Sequence, residues 1–123
     1  MELWDAYDRE LNKLGGVTLV RGEEVPDGMY HLVSEVIVKH TDGEFLLMQR
    51  APTKHFGGMW EATAGGSALC GESPLDCARR ELLEETGLSG EFTRIGTVVH
   101  DGHRSIYAEF LCVTDHDKNS VRL

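Results

Sequence analysis

The order of elements written into this chain predicts an α/β fold, a mixed sheet arranged around one well-capped helix. Three observations carry that expectation. Two pairs of extended, β-prone runs are each joined by a short turn containing Asp-Gly, and between the pairs lies one segment with the periodicity and caps of a helix.

The first pair is His31 to Lys39 (HLVSEVIVK) and Phe45 to Arg50 (FLLMQR), flanking Thr41-Asp42-Gly43, a strong hairpin signal. The second is Phe92 to His100 and Ser105 to Val113, joined by Asp101-Gly102-His103. Ala51 to Met59 reads as a loop containing Gly and Pro, and Trp60 to Leu69 as an extended stretch broken by glycine. Ser73 then suits a helix N-cap, Pro74 the first helical position, Asp76 a capping-box acid and Gly87 a left-handed C-cap, giving a helix from Ser73 to Thr86. On it Leu75, Ala78 and Leu82 form an apolar stripe, with Glu81, Glu84 and Glu85 as an acidic stripe beside it. Ahead of all this, Leu3 to Tyr7 and Val17 to Arg21 around Leu14-Gly15-Gly16 read as an added hairpin. Residues 1–29 are thus an N-terminal extension of the same domain, and 30–123 its main body.

The 123 residues suit one domain that buries its core without staples. A net charge of -9 argues against nucleic acid or an anionic membrane surface as partner, since neither meets a basic patch. No apolar run approaches the roughly 18 residues of a membrane span and the start, MELWDAYDRE, is acidic, so the expected location is the cytoplasm. Cys70, Cys77 and Cys112 make an odd count without a C-x-x-C pair, which favours free thiols in a reducing compartment and disfavours zinc.

Like charges at i, i+3 and i+4 destabilise an isolated helix by roughly 0.2–0.5 kcal/mol per pair, so the stripe Glu81, Glu84, Glu85 needs a reason. A hard divalent cation such as Mg²⁺ supplies one, because it takes carboxylate oxygens and bridges them to phosphates; a solvated Glu-rich face is the alternative. Arg80, one turn before Glu84, can hold one carboxylate by paired hydrogen bonds or serve as a plain surface ion pair. Cys77, one turn before Glu81, falls on the acidic side, either as a small space-filler or as an oxidation-sensitive neighbour of the metal.

Residues 66 to 88, GSALCGESPLDCARRELLEETGL, place Gly66, Glu72, Arg80, Glu81, Leu82, Glu84, Glu85, Gly87 and Leu88 at the spacing G-x5-E-x7-R-E-U-x-E-E-x-G-U, where U is a bulky aliphatic. This segment resembles a Nudix box. An accidental match would arise on the order of once in 10⁷ chains of this length. The resemblance implies an α/β/α sandwich with a mixed sheet. It also implies metal-assisted attack of water at the phosphorus of a small diphosphate, with Mg²⁺ or Mn²⁺ as cofactor. On the matching positions Glu84 and Glu85 would be metal ligands and Glu81 a third ligand or the group that orients or deprotonates the water. Arg80 and Glu72 would be supports, and the carbonyl of Gly65 or Gly66 a further ligand.

Such domains usually end in another strand and a C-terminal helix, whereas here only DHDKNSVRL follows the last strand, so that helix is missing or shortened. A sheet face left uncovered would favour self-association as a homodimer. Arg50 and Lys54 would contact phosphates if their loop folds over the helix, and are otherwise solvated loop charges. Trp60 reads as core rather than a stacking platform; His31, His55 and His103 are the histidines to follow.

LWDAYD, VPDGMYHLV, R-A-P-T-K and G-M-W resemble the isopentenyl-diphosphate isomerase branch of the same superfamily. Isomerases carry a cysteine and a metal-binding histidine near the start of the box, where this chain has Gly65 and Ser67. Without them, protonation of a carbon-carbon double bond lacks an evident acid. The complete R-E-L-x-E-E-T-G-L points to hydrolysis. The isomerase and a non-catalytic diphosphate-binding module stand as the alternatives.

Overall fold

Asp42 and Gly43 shape the first turn of the main sheet. Gly43 takes a left-handed φ of 97°, its N–H donates to the His40 carbonyl, and the Asp42 carboxylate accepts from the Glu44 N–H. This folds β3 (His31–His40) back on β4 (Phe45–Leu46) as an antiparallel pair. In the computed structural model residues 1–49 and 60–118 are described; Met48, Gln49, Trp60 and Glu61 are described in backbone only. The two last pairs, β5 (Met48–Gln49) and β6 (Trp60–Glu61), make a short antiparallel ladder of their own.

β3 is the spine of a five-stranded mixed sheet. On one side it pairs antiparallel with β4 and with β7 (Ala64–Ser67); on the other it runs parallel to β9 (Ser105–Thr114) from His31↔Ser105 to His40↔Thr114. Beyond β9 lies the antiparallel edge strand β8 (Glu91–His100), with a bulge between Arg94 and Gly96.

The helix α1 (Pro74–Thr86) is bounded by the residues expected to bound it. Ser73 Oγ accepts from the Asp76 N–H at 3.1 Å, Pro74 stands in the first turn, and Gly87, at φ 76°, closes the helix by donating to the Leu83 carbonyl. Its buried face is Cys77, Ala78, Leu82 and Thr86, with Leu75 at the rim. Cys77 is therefore a core residue and not a member of the acidic side, because a helix packed on a flat sheet buries a broader arc than a three-residue stripe. Leu82 is fully buried against Leu32, Val36, Val38, Ala108, Phe110 and Cys112, side chains from one face of β3 and β9. Burial of such a leucine stabilises by roughly 1.5–3 kcal/mol. Thr86 is buried too: its hydroxyl donates to the Leu82 carbonyl at 2.8 Å and accepts from the Leu88 N–H at 3.1 Å, satisfying the polar groups where the helix ends.

α1 is the only helix among the described residues, and it covers one sheet face. The opposite face, with Glu35, Ile37, Lys39, Tyr107, Glu109 and Leu111, is half-exposed. The fold is therefore α/β with a mixed sheet and a single helix, the second helical layer of an α/β/α sandwich being absent among the described residues.

The N-terminal residues form a hairpin of β1 (Leu3–Tyr7) and β2 (Lys13–Val20). Its second strand starts earlier than the sequence suggested, running through Gly15-Gly16. The turn lies at Asp8–Asn12, where the Asp8 carboxylate accepts from the N–H groups of Glu10 and Asn12 and Leu11 takes a φ of 63°. The hairpin is fastened to the sheet by two backbone bonds of 2.9 Å between Tyr7 and Tyr30. At its turn Arg9 grips Asp101 with two hydrogen bonds, and Tyr30 donates to the same carboxylate. No described helix is long and apolar enough to cross a membrane.

Candidate active site

The site is built where β7, at the sheet edge, meets the C-terminal half of α1, which carries Glu81, Glu84 and Glu85. Gly65 pairs with Glu35 and Gly66 with Ser34 of β3, and Ser34, fully buried, donates its hydroxyl to the Pro74 carbonyl at 2.8 Å. That bond ties the start of the helix to the sheet. Glycines on β7 let the helix side chains come close: a β-carbon on Gly66 would collide with the Glu81 carboxylate, and one on Gly65 would press on the Ser34 carbonyl at 3.0 Å.

Arg80 is the hub of the acidic side chains. Its Nε and Nη2 donate to the two oxygens of Glu72 at 2.6 and 2.8 Å, Nη2 also donates to the Ser67 carbonyl, and Nη1 donates to Glu81 at 2.9 Å and to Glu84 at 3.3 Å. The carboxylate held by paired hydrogen bonds is thus Glu72, from the loop before the helix, and not Glu84 one turn on. Glu84 is largely exposed, so its single contact is worth little. Glu72 in turn accepts from the Leu69 N–H at 2.8 Å; bonding to Arg80 holds its carboxyl below the usual carboxylate range, against an opposing effect of burial. The Arg80 guanidinium holds its proton more firmly than usual, chiefly through Glu72.

Glu81 differs from its neighbours on the stripe. Its side chain is only 15% exposed, and burial raises its pKa, with Arg80 opposing and Glu85 and Glu84 reinforcing the shift. Glu85, exposed, accepts from the Gly65 N–H at 3.0 Å. Because N–H and C=O of one strand residue point the same way, the Gly65 carbonyl also faces this outer edge. The Gly66 carbonyl accepts instead from the buried Cys77 thiol at 3.4 Å, on the helix side. Burial pushes that thiol up, away from reactivity.

The structure therefore brings Glu72, Arg80, Glu81, Glu84, Glu85, Gly65 and Gly66 to one edge. Among the described residues no three carboxylate, imidazole or thiol groups are gathered closely enough to hold a metal ion as they stand. Glu81 and Glu84 turn to Arg80 and Glu85 to Gly65, each satisfied by a protein donor. The donor set, hard carboxylate oxygens beside a strand carbonyl, nevertheless has the chemistry of a magnesium or manganese site.

Arg50, Lys54 and His55 lie outside the described residues, as does the side chain of Trp60. His31 stacks on Trp4 with centroids 4.2 Å apart, and its Nδ1 is buried with no hydrogen-bond partner. His103 stacks on His100 at the β8–β9 turn, away from the box. Two residues escaped the sequence reading. Glu35 on β3 lies against Gly65 from the half-exposed sheet face, and Asp5 on β1 accepts from the Gly71 N–H at 2.7 Å, one residue before Glu72. No local pattern marks either.

Comparison with known proteins decides the family: the NUDIX domain matches residues 29–118. The chain belongs to the Nudix family. An uncharacterised Nudix hydrolase of Listeria monocytogenes is 38% identical over 89 residues, covering 72% of this chain and 52% of that protein. An isopentenyl-diphosphate Delta-isomerase of Serratia proteamaculans is 31% identical over 100 residues, covering 80% and 55%. The chain spans about half the length of the curated relatives it matches. Among solved structures, DR0079 of Deinococcus radiodurans superposes with a TM-score of 0.70 at 18% identity, over 94% of this chain and 74% of that one. The last likeness establishes the fold. Among the described residues the chain builds a Nudix domain with a mixed sheet, one helix and the box at its edge.

Proposed function

We propose that this Nudix domain hydrolyses the phosphoanhydride bond of a small diphosphate, by attack of water at phosphorus, with Mg²⁺ or Mn²⁺ as cofactor. The observation that carries the proposal is the seating of Glu81 against side-chain-free Gly66, on the helix edge that also bears Glu84 and Glu85. A half-buried carboxyl with a raised pKa, held in place by a guanidinium, suits a group that orients water and takes its proton.

Glu84, Glu85 and the Gly65 carbonyl would hold the cation, with Glu81 as third ligand or as the water-orienting group. When bound, the ion supplies charge neutralisation to the diphosphate and lowers the cost of the leaving phosphate. Glu84, largely exposed, can leave Arg80 for a bound ion at small cost, and Glu85 would exchange its bond from the Gly65 N–H for that ion. Arg80 keeps Glu81 and Glu84 near each other, and Glu72 fixes Arg80. Arg50 and Lys54 are assigned to the substrate phosphates. The domain would act on a small molecule in the cytoplasm, without nucleic acid or membrane, and its half-exposed sheet face would favour a homodimer.

The test is phosphate release from a panel of nucleotide and isoprenoid diphosphates, with and without added metal. Metal-dependent release that falls in Glu84→Gln and Glu85→Gln supports hydrolysis. The isomerase-named relative gives a second reading, isomerisation of isopentenyl diphosphate, which the same panel reveals as allylic product without phosphate release. Tight diphosphate binding with no turnover would instead make this a binding module and overturn the proposal.

A further inference from the structure

Between the N-terminal hairpin and the box lies a chain of contacts that starts far from the helix. Asp5, on β1, accepts from the Gly71 N–H at 2.7 Å and from Lys13 Nζ at 3.1 Å, and the Leu3 carbonyl accepts from the Cys70 N–H at 3.1 Å. Gly71 sits at a left-handed φ of 84° in a turn closed by the Glu72 N–H donating to the Leu69 carbonyl at 3.0 Å. The next residue, Glu72, is the one that grips Arg80 with both oxygens, and Arg80 bonds Glu81 and Glu84. Backbone bonds from Ala68 to Leu32 and from Cys70 to Leu3 hold the approach to the turn, and Asp5 is the side chain that holds Gly71 at its exposed apex. Cys70 and Gly71 are exposed, whereas the two neighbours of Asp5 on β1, Trp4 and Ala6, are buried and give it a fixed base.

We infer that Asp5 is a positioning residue for the box: it fixes the Leu69–Glu72 turn, and through Glu72 and Arg80 it sets where the Glu81 carboxylate stands. The inference rests on the hydrolase reading for its kinetic consequence, but the ordering of the turn is a property of the chain alone. An outer partner that orients a ligand-holding group commonly changes affinity or rate by about 10–100-fold when lost, because a small displacement of a reacting group is enough. The Lys13 ion pair, with Lys13 half-exposed, orients Asp5 rather than contributing much by itself.

The experiment compares the full chain with Asp5→Ala, Asp5→Asn and, as a control, Arg9→Ala, which loosens the hairpin at its other attachment without touching the turn. Amide exchange at Cys70, Gly71 and Glu72 is measured first, without substrate or metal. Asp5→Ala should exchange at least about ten-fold faster there, Asp5→Asn, which keeps an acceptor oxygen, should remain close to wild type, and Arg9→Ala should leave these amides unchanged. In the turnover assay, well below the melting temperature, Asp5→Ala should lower kcat about ten-fold with KM little changed, rescued by Asp5→Asn. Unaltered exchange in Asp5→Ala overturns the inference, as does faster exchange with full kcat in an active wild type. Equal loss in Arg9→Ala would also overturn it, by showing that general loosening of the hairpin is the cause. If the wild type has no turnover, the hydrolase reading fails, and the exchange arm alone decides whether Asp5 orders the turn.

Discussion

Gly66 has no side chain where the Glu81 carboxylate lies: a β-carbon built on Gly66 would fall 2.5 Å from Glu81 Cδ. The glycine that opens the box is therefore a space for a carboxyl group and not a turn, since its backbone is ordinary strand paired with Ser34. Gly66→Ala should leave the fold almost intact, at a cost of about 1 kcal/mol or less, because the colliding group is the far end of a flexible side chain. It should lower turnover by about 10²-fold by pushing Glu81 aside. A thermal melt together with kcat separates the two effects.

Arg80 and Glu72 make the paired contact that the rest of the site leans on. Arg80→Lys keeps the charge but can neither bridge both Glu72 oxygens nor reach the Ser67 carbonyl and Glu81 at once. It should cost about 1–2 kcal/mol of stability, more than Glu84→Gln, and lower turnover as well. Urea titration with turnover measured on the same samples checks it. A fully active Arg80→Lys would mean the guanidinium geometry is not used.

Leu82 is the largest fully buried side chain of the box helix. Leu82→Ala should destabilise the domain by about 2–5 kcal/mol, the usual range for a leucine removed from a closed core. Chemical denaturation measures it. A loss under about 1 kcal/mol would contradict the packing described for α1.

Asp101 is one of the carboxylates that link stability to acid, at the end of the sheet where the hairpin attaches. Arg9, then Tyr30, draw its pKa from 3.8 down to about 2, so the folded state holds its proton less tightly than the unfolded chain. The stabilisation is complete above the unfolded value and lost as pH falls from about 3.8 through about 2. Asp101→Asn should flatten that part of the stability profile. Melts between pH 2 and 5 show it, and an unchanged acid limb would remove Asp101 from the account.

What could be read in advance was what is local. The helix was legible because Ser73, Pro74 and Gly87 are each suited to one position at a helix end, and each occupies it. The Asp42-Gly43 turn was legible for the same reason, whereas at Asp101-Gly102 the turn falls where expected but its left-handed residue is Arg104, at φ 49°, and not the glycine. The start of β2 was not, because the side chain of Asp8, bonding two N–H groups ahead of it, outweighed the Gly15-Gly16 signal. Nor was the parallel pairing of β3 with β9, which joins residues more than seventy positions apart and leaves no period in either strand. At the site, the spacing of the box named the carboxylates but not their partners: that Arg80 chooses Glu72 depends on how the Leu69–Glu72 turn is held, and that in turn on Asp5 from a different hairpin. Side-chain pairing across the fold is decided by packing, which spacing does not encode.

Metal titration of phosphate release tests whether Glu84 and Glu85, with Glu81 beside them as third ligand or water-orienting group, hold a divalent cation against a diphosphate. Wild type should be inactive in chelator, rise saturably with Mg²⁺ or Mn²⁺, and lose on the order of 10²-fold or more in Glu84→Gln and Glu85→Gln with weaker metal activation. Turnover that persists in chelator, or that both variants match at every metal concentration, would contradict it.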